Sequence, residues 1–131
     1  MIQSLAVVAA ITALAAPSAP ATPEALVQVQ LDAYNAHNLD AFVACYAQNV
    51  EFWTMDGKVN PEKGAAAMRK GYAELFAQFP KVKVKVLRRI SQGAYVIDQQ
   101  EADGMGPNPV TYTAIYWISQ GKIARVWYIQ G

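Results

Sequence analysis

The sequence predicts an α+β domain, an antiparallel sheet packed on three helices drawn from the N-terminal half. Two patterns point to it. From Pro23 to Phe79 apolar residues recur at helical spacing in stretches opened by capping residues. From Val82 onward β-branched and aromatic residues run in extended segments broken by turn residues. Helices first and a meander of strands afterwards is the α+β order. With 131 residues the chain is one domain's worth of protein.

Residues 2 to 16, IQSLAVVAAITALAA, carry no charge and are followed by PSAPA, which sets Ala19 and Ala21 at the spacing of a small-residue cleavage site. This reads as a signal peptide over residues 1–21, with a mature domain over 22–131 and a periplasmic or secreted location. The alternative is an alanine-rich helix docked on the domain. The apolar run is shorter than the roughly 20 residues of a spanning helix, so no stable membrane anchor is expected.

Thr22-Pro23-Glu24 is a helix start: a hydroxyl for the first free amides, a proline at the first helical position, and an acid favoured by the dipole. The first helix should run from Pro23 to about Ala36, burying Leu26, Val27, Leu31 and Tyr34. Asn38 and Asp40 then cap a second helix of two to three turns, with Leu39, Phe42, Val43 and Tyr46 on its inner side. Val50 to Met55 reads as a strand and Asp56-Gly57 as a tight turn. Asn60-Pro61-Glu62 opens a third helix, closed by Pro80, whose buried stripe is Met68, Tyr72, Leu75, Phe76 and Phe79. Four strands follow: Val82 to Ile90, Ala94 to Asp103, Val110 to Ile118 and Lys122 to Gln130.

Composition narrows the function. Hydrophobic residues make up 53% and charged residues 16%, so the chain should fold, and a formal charge of +1 gives no global attraction to nucleic acid or anionic membrane. Cys45 is the sole cysteine and His37 the sole histidine, which leaves no disulfide framework, no zinc site and no histidine triad. Cys45 reads as a buried small hydrophobe and His37 as a capping or solvated residue in the break between helices. The run KVKVKVLRR alternates its lysines on one strand face, where they solvate a sheet edge; nucleic-acid binding is not expected.

The segments DAYNAHNLDAFVACYAQNVEF, PEKGAAAMRKGYAELF and TAIYWISQGKIARVWYI, with VID at Val96 to Asp98, resemble the nuclear transport factor 2-like superfamily, in particular its SnoaL-like and ketosteroid-isomerase-like members. The resemblance runs from about Pro23 to the C-terminus. It implies a cystatin-like roll in which a cone-shaped sheet wraps a small-molecule pocket, and a homodimer. No cofactor or metal is expected. Ketosteroid isomerases of this fold use an aspartate base with a tyrosine and a protonated aspartate as oxyanion donors. By this resemblance the tyrosine falls at Gln30, the base at Thr54 and the protonated acid at Ala114. None of the three roles survives, so steroid isomerisation is not expected and no catalytic residue is assigned. The Asp/His and Asp/Arg/Asp sets of related dehydratases and epoxide hydrolases are not legible either.

The same resemblance sets which strand positions should face the cone: Phe52 and Thr54; Tyr95, Ile97, Gln99 and Glu101; Tyr112, Ala114 and Tyr116; Val126, Tyr128 and Gln130. The candidate ligand-binding residues are therefore Phe52, Thr54, Tyr95, Gln99, Glu101, Tyr112, Tyr116 and Tyr128. Tyrosine gives flat contact area with one polar tip, which suits a small hydrophobic or aromatic ligand. The alternative is a filled core whose hydroxyls meet one another or water. Glu101 would be a general acid or base if desolvated in the cone, and merely wet if near the strand end; Asp98 should face away. The opposite face should carry Trp53, Met55, Ile115, Trp117, Ile123, Trp127 and Ile129, with Glu51 and Arg125 as a pair, and a patch of that size predicts the homodimer contact. Three functions follow as expectations: an exported small-molecule-binding domain; a cofactor-independent isomerase, dehydratase or cyclase using Glu101; or an interaction module with a closed cone.

Overall fold

The computed structural model describes residues 20, 22–55 and 63–130. Three helices, α1 (Pro23–Asn35), α2 (Leu39–Val43) and α3 (Ala65–Gln78), pack on a sheet of five strands, β1 (Tyr46–Thr54), β2 (Lys83–Gln92), β3 (Tyr95–Asp103), β4 (Val110–Ser119) and β5 (Lys122–Gln130). The residues expected to form a signal peptide, except Pro20, lie outside the described residues, as do Asp56-Gly57 and Asn60-Pro61-Glu62.

The first helix starts as its sequence dictates. Thr22 Oγ1 accepts from the amide of Ala25 at 3.1 Å, and Pro23 and Glu24 fill the first turn. The second is shorter than its pattern implies. Asn38 caps it through Ala41 N at 3.1 Å, but it ends at Val43, and Tyr46 belongs to the next strand instead. His37 takes a left-handed φ of 53° in the break, which turns α2 back against α1. Among the described residues the third helix begins at Ala65, behind Gly64. A Cβ at Gly64 would sit 3.0 Å from the Gln48 carbonyl, and its φ of 93° favours glycine as well.

Strand order is β1-β5-β4-β3-β2. The β2 to β5 meander is antiparallel, as its turn residues require, whereas β1 lies parallel to β5, so the sheet is mixed. The core between sheet and helices contains Val27, Phe42, Val50, Val82, Val96, Ile123 and Val126, all essentially inaccessible. Ile123 corrects an expectation. It was placed on the outer face, but the register shift between Trp117 and Ile118 turns it inward, opposite Tyr46.

The β2 edge is closed in part by a side chain. Asn35 Nδ2 donates to the Val84 carbonyl at 2.7 Å and its Oδ1 accepts from the Val84 amide at 2.8 Å, so one residue at the end of α1 imitates a neighbouring strand. His37 Nε2 meets the Val82 carbonyl at 2.8 Å, its ring stacked on Phe76 at 4.4 Å, which gives the sole histidine a structural place. Cys45 is buried and unpaired, as expected of a small hydrophobe.

Candidate functional site

Side chains alternate across the sheet, and cross-strand partners share a face. Phe52, Val126, Tyr116 and Val96 form one inward row; Thr54, Tyr128, Ala114, Asp98 and Arg89 form the next. Helix α1 brings Gln30, Leu31 and Tyr34 down onto these rows, and α3 contributes Tyr72. Between them lies a cavity of about 30 Å3, bordered also by Phe42, Tyr46, Val84, Gln100 and Tyr112.

The cavity wall is hydrogen-bonded in a chain. Tyr46 OH donates to Gln30 Oε1 at 2.8 Å, and Gln30 Nε2 donates to Tyr116 OH at 3.4 Å. Gln100 Nε2 donates to the same Tyr116 oxygen at 3.0 Å and reaches Asp98 Oδ2 at 3.4 Å. Asp98, wholly buried, is held by Arg89 through two bonds, Nε to Oδ1 at 2.7 Å and a terminal nitrogen to Oδ2 at 2.9 Å. That planar fork is the strong geometry for a buried carboxylate. Arg89 continues to Gln28 Oε1 at 2.9 Å, and Gln28 to Asp32 at 2.8 Å, so the chain runs from the cavity to the surface of α1. The Asp98 hydrogen bond raises the Arg89 pKa further, and the guanidinium stays charged.

Tyr72 and Tyr128 meet hydroxyl to hydroxyl at 3.5 Å, and Phe52 stacks over Tyr128 with centroids 6.2 Å apart. Burial pushes the hydroxyl pKa of Tyr34, Tyr46, Tyr72, Tyr112, Tyr116 and Tyr128 upward in every case. All six remain protonated near neutral pH. They offer hydrogen bonds and no base. Among the described residues, no three His, Cys, Asp or Glu side chains cluster as metal ligands.

The structure brings Phe52, Tyr112, Tyr116 and Tyr128 together on the cone side, while Thr54 lies exposed at the end of β1. The β3 expectation is corrected. Val96, Asp98, Gln100 and Ala102 face inward, so Tyr95, Ile97, Gln99 and Glu101 occupy the outer face. Tyr95 is 45% exposed and Gln99 is exposed, while Glu101 pairs with Lys85 at 3.2 Å. Both parities of YVIDQQEA mix apolar and polar residues, so hydrophobic alternation does not choose between them. The decision comes from Arg89, which makes burying Asp98 tolerable. One signal was available: counting outward from the Gln92-Gly93 reversal sets Arg89 opposite Asp98. Gln30, Tyr34, Tyr46, Tyr72 and Gln100 were absent from the expected site; their inward positions depend on helix docking and the true β3 parity.

The outer face divides into two halves. Trp53, Trp127, Ile115, Ile97 and Ile90 make one apolar row across all five strands. Beside it the Arg125 guanidinium lies over the rings of Trp53, Trp127 and Trp117 at 5.3, 5.6 and 5.8 Å. Glu51 stands 3.7 Å from Arg125, as expected of that pair, and accepts from Trp53 Nε1 at 3.0 Å. The other half carries Lys83, Lys85, Glu101 and Asp103 in facing pairs.

A family model described as SnoaL-like domain matches residues 27–126. Among solved structures, the chain is similar to an uncharacterised cystatin-fold protein from Novosphingobium aromaticivorans, at 22% identity and a TM-score of 0.76, covering 83% of this chain and 98% of that one. It is similar to a proposed polyketide cyclase from Sinorhizobium meliloti at 21% identity and a TM-score of 0.68, covering 79% and 93%. A proposed ketosteroid isomerase from Kribbella flavida aligns at 17% identity and a TM-score of 0.71, covering 83% and 77%. At these identities the likeness is one of fold. No protein of curated function matches the chain at a significant level.

Proposed function

The chain belongs to the SnoaL-like domain family, and from that premise we propose that it binds a small, uncharged, largely apolar molecule in the cone without a catalytic set of its own. The observation that carries this reading is the cavity wall: aromatic rings with their hydroxyls, two glutamine amides and, among the described residues, no ionisable side chain but tyrosine. An acid or base would be needed for isomerase, dehydratase or cyclase chemistry. Glu101 lies on the outer face, and Asp98 is engaged by Arg89 through both oxygens.

A space of about 30 Å3 holds a water or two, against roughly 300–1,000 Å3 for a drug-sized ligand. Binding therefore involves displacement of rings, and α3 is the helix least committed to the core. Its only fully buried residue is Met68, and its Tyr72 closes the cavity against Tyr128. Native mass spectrometry of protein isolated from its own host tests the proposal by seeking a retained small molecule. Absence of any such species, with tyrosine side-chain NMR signals unmoved by a panel of aromatic and polycyclic compounds, would leave the closed-cone interaction module as the better account.

The proposal includes export and assembly. Export rests on the uncharged run before Ala21. Assembly as a homodimer rests on the apolar row and the tryptophan-walled Arg125, with Tyr95 and Ile90 exposed beside them.

A further inference from the structure

Helices α1 and α3 are nearly equal in length and border the same cavity, yet they are held in different ways. Of the 13 residues of α1 six are buried, whereas α3 buries Met68 alone among its 14. Hydrogen bonds close a ring through α1. Gln28 accepts from Arg89, Arg89 grips Asp98, Gln100 links Asp98 to Tyr116, and Tyr116 accepts from Gln30 of the same helix. Asn35 adds its two bonds to Val84. The polar attachments of α3 are weaker: Arg69 meets the highly exposed Asp40, and Tyr72 meets Tyr128 at 3.5 Å, long for a hydroxyl pair. What seats α3 is aromatic packing, Tyr72 against Tyr34 and Phe42, and Phe76 against Tyr34 and His37.

The third helix is also weakly built in itself. Gly64 supplies no side-chain cap, and no acid in the first turn or base in the last complements the dipole. Gly71 sits midway along it, exposed and next to Tyr72. A Cβ there would meet nothing within 4 Å, so no close approach calls for glycine. Glycine at such a position weakens a helix roughly fivefold against alanine. Shallow burial, poor capping and an unforced interior glycine all fall in the helix that carries Tyr72. Segments with few buried contacts open on their own, ahead of the rest of a domain.

We propose that α3 is the gate of the cone: it opens by itself about Gly71, draws Tyr72 away from Tyr128, and admits the ligand while α1 and the sheet stay closed. Gly71 lies outside the cavity lining, so it sets how often the gate opens without touching what binds. This rests on the binding reading above and adds the route of entry and its control. Association then proceeds no faster than α3 opens, however much ligand is present.

The test requires no knowledge of the ligand. Amide hydrogen exchange by NMR on the full chain should find α3 at least roughly a hundredfold less protected than the central strands β3 and β4. A thiol placed on the cavity wall by Leu31→Cys, with Cys45→Ala, should react with dithiodipyridine, a small aromatic probe, at the rate set by α3 opening. Gly71→Ala should raise α3 protection and slow the labelling, each by roughly fivefold. Asn35→Leu weakens the clamp on β2, so β3 and β4 should lose protection roughly tenfold while α3 protection and the labelling rate hold. Equal protection of α3 and the strands, or labelling that quickens with Asn35→Leu, would mean that the cone opens only with the whole domain and would overturn the gate. Labelling indifferent to Gly71→Ala would overturn the route through α3. If Leu31→Cys fails to fold, exchange in the parent, Gly71→Ala and Asn35→Leu chains decides alone. A gate that behaves as described, with no small molecule retained from the host, would remove the binding reading and leave the gate standing.

Discussion

Replacing Arg89 with methionine isolates the cost of the buried carboxylate. The substitution keeps the length and apolar stem of the side chain but removes both bonds to Asp98, at 2.7 and 2.9 Å, from a group with no solvent access. Arg89 itself is only 15% exposed, so water cannot readily replace the guanidinium. Breaking such a pair from one side costs about 3–5 kcal/mol, a large share of the roughly 5–15 kcal/mol that holds a domain together. Urea unfolding followed by tryptophan fluorescence and circular dichroism at neutral pH reads the change as a fall in midpoint at constant slope. Two controls sharpen it. Arg69→Met breaks the exposed Arg69–Asp40 pair, 2.6 Å long but with Asp40 at 87% side-chain exposure, and should cost at most about 1 kcal/mol. Arg89→Met with Asp98→Leu removes both charges and should recover most of the loss. An Arg89→Met variant as stable as Arg69→Met would refute the argument that this ion pair makes the inward β3 parity tolerable.

Burial raises the pKa of all six interior tyrosines, so the folded state resists their ionisation. Stability is full below the unfolded value of about 10 and falls as pH rises beyond it. Their tyrosinate absorbance at high pH should appear together with loss of the circular dichroism signal; full ionisation of an intact fold would contradict the burial described. Asn35→Leu strips the Val84 amide and carbonyl of their partner and should destabilise by about 1–3 kcal/mol in the same urea assay, with no loss counting against the clamp. Trp117→Glu should convert a dimer to monomers in light scattering, because it places a charge in a desolvated contact; a wild-type mass of one chain at micromolar concentration would refute the assembly. Protein from the native cell should begin at Thr22, and a mature pool starting at Met1 in the cytosol would refute export.

Element types were legible wherever local chemistry decides them. Thr22 and Asn38 cap helices because their side chains reach the free amides, and the meander follows from Gly93 and Gly121 at its reversals. The cone-facing sides of β4 and β5 were legible too, since Tyr112, Tyr116, Val126 and Tyr128 alternate clearly. The parity of β3 was not. Its choice rests on one ion pair between strands, and a carboxyl read alone looks like a surface residue. Ala114, the position where the resemblance seeks an acid, stands directly opposite Asp98, so the interior does hold a carboxylate, one strand away and already neutralised. Tyr46 was missed because α2 stops at Val43, three residues before the pattern suggests.

The parallel seam between β1 and β5 joins Tyr46 to Ile123 and Trp53 to Trp127. Every other strand pair can zip outward from a short reversal, but this one must bring together segments separated by nearly the whole domain, at a corresponding entropic cost. During synthesis, β1 emerges early and has no lateral neighbour until β5, the last strand of the fold, has been made. The sheet thus stays incomplete until β5 has been made. In that interval the lateral edge of β1 has no strand to pair with.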